Sequence, residues 1–229
     1  FQTNLMEAAF RNNVERFLFV SSICAYPHSE LPRKETDLWD GLPKQNDRIP
    51  GLAKRIGEVQ AESYFLEYGW EGTRIVRPSN VFGAYDDFDP RTAQVIPALI
   101  SRILSGEAPL TVWGDGSAVR DFVYSEDVAD WLIRVLMSEY SHEPFNIGSR
   151  DGVTIRQLAE TLIEQLNPGA EIQWDTSKPS GDSCRLLDMA KTDEYFGVIP
   201  GTALDEALAR TASWYQSEYQ NYCKLRGLL

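Results

Sequence analysis

Histidine and cysteine are scarce in this sequence: 229 residues contain two of the first and three of the second. The cysteines, Cys24, Cys184 and Cys223, are odd in number and lack metal-ligand spacing. This argues against a disulfide framework or a structural metal site and favours a reducing cytoplasm. Basic charge is short as well, with 22 Lys and Arg against 34 Asp and Glu, a net charge of −12. A general nucleic-acid binder needs a basic face to neutralise phosphates. That class is therefore disfavoured, whereas a local basic pocket for one phosphate ligand is not. No apolar run approaches the ~18 residues of a membrane span. The opening residues are not expected to form a signal or transit peptide, and the first residue given is Phe rather than Met. Repeats, low-complexity tracts and flexible linkers are absent. What is present, 43% hydrophobic and 24% charged residues, is ordinary for a globular protein.

The periodicities alternate between the two regular structures. Asn4 to Asn13 reads as the end of a helix, followed by a short apolar run at 14–20, consistent with a buried parallel strand, and a turn at 21–27. Residues 28–49, polar and rich in Pro, Asp and Lys, read as a surface loop. A helix is predicted over 50–68, a strand over 73–76 and a loop over 78–83. Beyond this lie a helix at 94–104, short strands at 109–112, 120–124 and 144–147, and helices at 126–137, 154–166 and 202–219. Thr154 is a plausible N-cap, and residues 175–184 read as a polar loop. Strand–loop–helix–strand alternation implies a parallel, helix-covered sheet. In such sheets ligands bind beyond the carboxyl ends of the strands, which here are the turns at 21–27 and 78–83.

Those turns carry motifs. SSICAYP at 21–27, LAKRIGE at 52–58, RPSNVFG at 77–83, VIPALISR at 95–102, VWGDGSAVRDFVYSEDVA at 112–129 and FNIGS at 145–149 occur in an order that resembles the extended short-chain dehydrogenase/reductases. Within them the chain resembles the NAD(P)-dependent nucleotide-sugar epimerase/dehydratase group. WDTSKPSGDSCRLLD at 174–188 is similar to the GDP-L-fucose synthase branch, with GDP-mannose 3,5-epimerase a near relative. The resemblance spans essentially the whole chain. It implies an α/β fold, an incomplete Rossmann-type parallel sheet with a smaller α/β substrate-binding cap. Residues 1–90, with part of 112–150, would be the remainder of the dinucleotide-binding domain, and 91–229 mainly the substrate-binding region. Relatives open with a glycine-rich turn that holds the cofactor pyrophosphate. On the order of 60 residues, at ~30 per βαβ unit, would precede this sequence.

The resemblance also implies roles. Ser22 matches a catalytic hydroxyl that bonds the sugar oxygen, although a turn serine also caps backbone groups. Cys24 matches an epimerisation base, although free cysteines are often small buried hydrophobes. Lys54 matches the lysine of a Tyr-x-x-x-Lys pair that holds the nicotinamide ribose and tunes the phenol. Four residues before it stands Pro50, which has no acid–base chemistry and suits the first position of a helix. Gln94 occupies the place of a second, histidine proton carrier. Cofactor contacts are expected from Ser21, Lys54, Pro78, Asn80 and Val81, with NAD or NADP as cofactor. A nucleotide sugar, most closely a GDP-hexose, would be held by Asn80, Arg102, Trp113, Arg120 and Arg185. An acidic substrate contact of the family is Ser180 here. His28 and His142 fall outside the motifs and read as surface residues, and Tyr64 and Tyr68 as core or surface. No metal is expected. A homodimer through the helix of Lys54 and the helix before the serine strand is expected by analogy. The alternative to an active enzyme is a nucleotide-sugar binder impaired in catalysis.

Overall fold

The computed structural model describes residues 1–178 and 180–226. Pro179, inside the expected polar loop, and residues 227–229 of the expected second region lie outside them. Helix α1 (Gln2–Arg11) leads into strand β1 (Phe17–Val20), helix α2 (Arg48–Tyr68) and strand β2 (Thr73–Pro78). β1, β2 and the later β6 (Pro144–Ile147) form a three-stranded parallel sheet in the order β1-β2-β6. Every residue of β2 is buried, as expected of a central parallel strand covered on both faces. Helix α4 (Ser125–Met137) lays Val128, Trp131 and Val135 against Val76, Phe145 and Ile147.

A second sheet is centred on β5 (Val119–Tyr124). Its last residues pair in parallel with β3 (Asn80–Phe82). Its first residues pair antiparallel with β7 (Gly152–Thr154) and parallel with β9 (Cys184–Arg185). β4 (Leu110–Trp113) and β8 (Ile172–Asp175) make a separate parallel pair. Helices α3 (Val95–Leu104), α5 (Ile155–Leu166) and α7 (Leu204–Arg226) enclose a core that includes Ile96, Ile100, Leu110, Leu158, Leu162 and Leu208. Thr154 caps α5 as its sequence suggests: it accepts from the Gln157 N–H while the Gln157 side chain bonds back to the Thr154 backbone. Helix α6 (Ala190–Phe196) packs on β6. Among the described residues no helix is long and apolar enough to cross a membrane.

Several expectations are corrected. The 78–83 loop contains a strand: Pro78 ends β2, and Asn80–Phe82 forms β3 on a neighbouring sheet. Three residues are too few to show an alternation. Residues 28–49 are not all surface, because Arg33, Glu35 and Leu38 are buried. Pro50 is the third residue of α2, not the first; it still sits in the first turn, where its missing N–H leaves no intrahelical bond unmade. The closing helix begins at Leu204 and runs on to Arg226. His142 is not a plain surface residue. Its ring lies 3.6 Å, centroid to centroid, from Phe65, and burial lowers its pKa from the ordinary value.

Two glycines set how closely α2 lies on the sheet. A Cβ on Gly51 would overlap the Cys24 carbonyl oxygen, and one on Gly57 would overlap the Phe19 ring. The helix therefore rests directly on β1 and on the turn that follows it.

Candidate active site

The carboxyl ends of β1 and β2 open onto a cleft of about 1010 Å³. Its far wall is built from the first turns of α3, the end of β4, and β5 with β9. Ser22, Cys24, Asn80 and Val81 line it from the first sheet and its exits, and Arg102, Trp113, Arg120 and Arg185 line it from the other side. Pro50, Gln94 and Ser180 are also in its wall.

Ser22 begins a single 3-10 turn, Ile23–Ala25, and its Oγ accepts from the Cys24 N–H at 3.2 Å. The capping role is thus real, and it leaves the hydroxyl proton for another acceptor. Cys24 is half-buried. The Arg185 Nη2 donates to its Sγ at 3.1 Å, and Arg185 Nη1 lies 3.0 Å from the Asp47 carboxylate. Asn80 Nδ2 donates to the Asp121 carbonyl at 2.7 Å, which fixes the side chain at the cleft floor.

Arg120 has a different environment. Its Nη1 donates to the carbonyls of Val119 at 2.8 Å and Asp182 at 2.7 Å, and its Nη2 is 3.5 Å from the Ser180 carbonyl. Burial lowers its pKa, as do the neighbouring Arg185 and Arg33, against the pull of Asp182. Asp182 itself is pushed up by burial, but its bond to Lys44, with His28 and Arg120 nearby, holds it below the ordinary carboxylate value. Arg102 is ion-paired with Glu107 and donates to the Thr111 carbonyl. Its charge is therefore matched before any ligand arrives. Trp113 is 63% exposed, with the Lys178 ammonium 5.8 Å from its ring centroid.

Three expected cofactor contacts lie away from the cleft wall. Ser21 is buried and gives its hydroxyl proton to Glu58. Pro78 is buried at the end of β2. Lys54 donates to the Val20 carbonyl at 2.8 Å, and so stands at the carboxyl end of β1. An ammonium carries three donors, and this bond uses one.

Tyr26 is no substitute for a tyrosine at position 50. Its hydroxyl donates to Asn146 Oδ1 at 2.6 Å and accepts from Arg77 at 2.8 Å. Arg77 forms a buried ion pair with Glu58 at 2.6 Å. Burial raises the Tyr26 pKa well above the ordinary phenol value despite Arg77, so it stays neutral at working pH. Removing one partner of the buried Arg77–Glu58 pair would cost about 3–5 kcal/mol, because the other charge would be left uncompensated.

Sequence reading missed Asp47, Asp182 and Arg33. Asp47 directly precedes a helix, a position where Asp is a recognised start signal, but its contact with Arg185 depends on a distant strand. Asp182 gathers Lys44 and His28, whose Nδ1 lies 3.2 Å away. A second, smaller cavity of about 350 Å³ lies between the start of α4 and residues 198–204, and none of the expected site residues lines it. Among the described residues no group of His, Cys, Asp and Glu is arranged to hold a metal ion.

The family model for the NAD dependent epimerase/dehydratase family matches residues 1–148. The chain belongs to the NAD dependent epimerase/dehydratase family. GDP-L-fucose synthase from Escherichia coli K12 is 31% identical over 99% of this chain and 73% of its own length. GDP-L-fucose synthase 1 from Arabidopsis thaliana is 32% identical over 93% of this chain and 67% of its own. The chain spans about two thirds of the length of the plant relatives it matches. Among solved structures, a GDP-L-fucose synthetase from Naegleria fowleri bound to NADP superposes with a TM-score of 0.89 at 25% identity, covering 96% of this chain and 71% of the other. A UDP-N-acetylglucosamine 4-epimerase from Methanobrevibacter ruminantium gives 0.83 at 28% identity, covering 95% and 68%. Both structures share this Rossmann-type fold with the chain, one named for GDP-L-fucose and the other for UDP-N-acetylglucosamine.

Proposed function

We propose that this chain carries the substrate cleft of an NAD(P)-dependent nucleotide-sugar epimerase/reductase acting on a GDP-hexose. The observation that carries the reading is convergence. Asn80, Arg102, Trp113, Arg120 and Arg185, far apart in sequence, line one cleft together with Ser22 and Cys24. The GDP-L-fucose synthases among the relatives support GDP as the nucleotide. In this reading Arg120 grips the diphosphate, because its guanidinium is held only by neutral carbonyls and keeps its charge for an anion. Trp113 offers its face beside the nucleotide. Ser22 donates to the sugar carbonyl oxygen, and Cys24 takes the proton from the carbon next to it.

The residues at the carboxyl end of β1 fit the nicotinamide-ribose end of a dinucleotide. Lys54, anchored on the Val20 carbonyl, would hold the ribose hydroxyls with its remaining donors, and Asn80 and Val81 would flank the ring. When bound, nicotinamide gives or takes a hydride at the sugar carbon. Titration of GDP and GDP-sugars by calorimetry tests the cleft, and absence of binding would overturn the reading.

A second reading rests on Pro50. Pro50 and Gln94 both line the cleft, at the positions that the family resemblance assigns to the phenol of a Tyr-x-x-x-Lys pair and to an imidazole. A cleft with these residues binds the nucleotide sugar without ordinary hydride transfer.

We also infer a homodimer. α2 leaves Ile49, Ile56 and Leu66 exposed at 78%, 60% and 71% on one heptad-like stripe, and Leu5 of α1 is 46% exposed. Two copies would cover these stripes as a four-helix bundle. The three free cysteines are compatible with a reducing cytoplasm.

A further inference from the structure

Among the described residues that line the cleft, the ionisable groups other than arginine are Cys24 and Asp47. No lysine, histidine, glutamate or tyrosine joins them. These two are connected through a single guanidinium. Arg185 directs Nη2 to the Cys24 sulfur at 3.1 Å and Nη1 to the Asp47 carboxylate at 3.0 Å. The side chains of Arg185 and Asp47 are 17% and 23% exposed, so water screens the contact weakly. A planar guanidinium held at both prongs is fixed in orientation.

We propose that Arg185 is a positioning residue for Cys24, locked by Asp47, and not a second grip on the substrate diphosphate. This rests on the reading of the cleft as a nucleotide-sugar site. Arg120 and Arg185 divide the work by the charge of their partners. Arg120 meets only carbonyl oxygens, which orient it without neutralising it. Arg185 already faces a carboxylate, so a phosphate would have to compete with Asp47 for it. What remains of its charge is directed at sulfur.

The step it serves is proton abstraction beside a carbonyl. The Cys24 thiolate takes the proton from the carbon flanking the substrate's carbonyl and becomes a thiol. The C–H electron pair becomes the enolate double bond, and the carbonyl oxygen takes the negative charge beside the Ser22 hydroxyl. Arg185 holds the charge on sulfur before the step, and Asp47 holds Arg185 in place after that charge has left. Return of a proton from sulfur to carbon reverses it. No redox partner is needed.

Alkylation by iodoacetamide, followed at each cysteine by mass spectrometry, tests this without turnover. The thiolate is the attacking form. In Arg185→Met, alkylation of Cys24 is expected to slow by about tenfold while Cys223, buried in α7 and remote in sequence from the substitution, serves as internal reference and stays unchanged. Arg185→Lys is expected to retain most of the wild-type rate. Asp47→Asn keeps an acceptor for Nη1 and removes the competing negative charge, and is expected to speed Cys24 alone. Loss of the fold would speed both cysteines, the opposite of the Arg185→Met expectation, and the other two variants then decide. The dissociation constant for GDP, measured by calorimetry, is expected to stay within about twofold in Arg185→Met and to rise in Arg120→Met. A Cys24 rate that ignores all three variants overturns the proposal. So does a loss of GDP affinity in Arg185→Met as large as that in Arg120→Met. If wild-type protein fails to bind GDP, the nucleotide-sugar reading fails separately, and the alkylation series still reports on Arg185.

Discussion

Arg120 and Arg185 stand directly opposite each other on β5 and β9. Like charges facing across neighbouring strands are unfavourable, and the fold offsets them by unlike means: carbonyls at Arg120, a carboxylate and a sulfur at Arg185. Among the described cleft arginines, Arg91, Arg102 and Arg185 each pair with a carboxylate, and Arg120 pairs with none.

Arg120→Met, which keeps the aliphatic stem, is expected to weaken GDP binding by about 10- to 100-fold, the worth of one or two hydrogen bonds from a charged donor. Calorimetry reads the affinity, and an unchanged far-UV circular dichroism spectrum shows that the fold is kept.

Pro50→Tyr places a phenol four residues before Lys54 on one helix face. In protein supplied with nicotinamide cofactor and a GDP-4-keto sugar, hydride transfer is expected to accelerate by about 100-fold or more, the usual contribution of a positioned acid. Nicotinamide absorbance follows it. Equal rates in the two proteins would show that the phenol's place is not at residue 50.

Gly51→Ala and Gly57→Ala are expected to differ. Both gain helix propensity, about 1 kcal/mol. The Cβ at 51 runs into the Cys24 backbone carbonyl, which cannot move without the turn, whereas the Cβ at 57 meets the Phe19 ring, which can shift. Urea unfolding should find Gly51→Ala destabilised by about 1–3 kcal/mol and Gly57→Ala by less.

Ile56→Glu puts a charge on the exposed stripe of α2. Sedimentation velocity is expected to shift from dimer towards monomer, with thermal stability at low concentration little changed.

The His142 pKa is lowered in the folded protein by burial, from an ordinary 6.5. A group depressed in this way is protonated more readily in the unfolded chain, so stability is lost as pH falls below about 6.5. His142→Phe keeps a ring against Phe65 and removes the proton site. Its unfolding free energy is expected to depend less steeply on pH between about 7 and 5 than that of wild type.

Much of the fold was legible because its elements are long or strongly apolar. α2, α4 and α5 fall within two residues of their expected positions, and β6 falls at its expected limits. β3, β7 and β9 were not, because two or three residues carry no periodicity and their existence depends on β5 lying beside them. The site was legible where motif residues stand on fixed turns, as Ser22 and Cys24 do. Asp47 and Asp182 were not, since their meaning comes from partners more than 130 residues away. Arg185 was found as a charge, but its attachment to sulfur is visible only in three dimensions.

The two regions expected to meet near residue 90 are fastened elsewhere. Arg33 bridges to Leu187, Glu30 accepts from Ser183, Lys44 binds Asp182 and Arg185 binds Asp47. Exchanging residues 91–226 for those of a relative with another sugar preference would put the three side-chain attachments at risk at once and leave only the Arg33–Leu187 backbone bridge. The transplantable unit for altering specificity is therefore discontinuous: the segment 27–47 must travel with the later half, or the graft arrives with its Arg185 untethered.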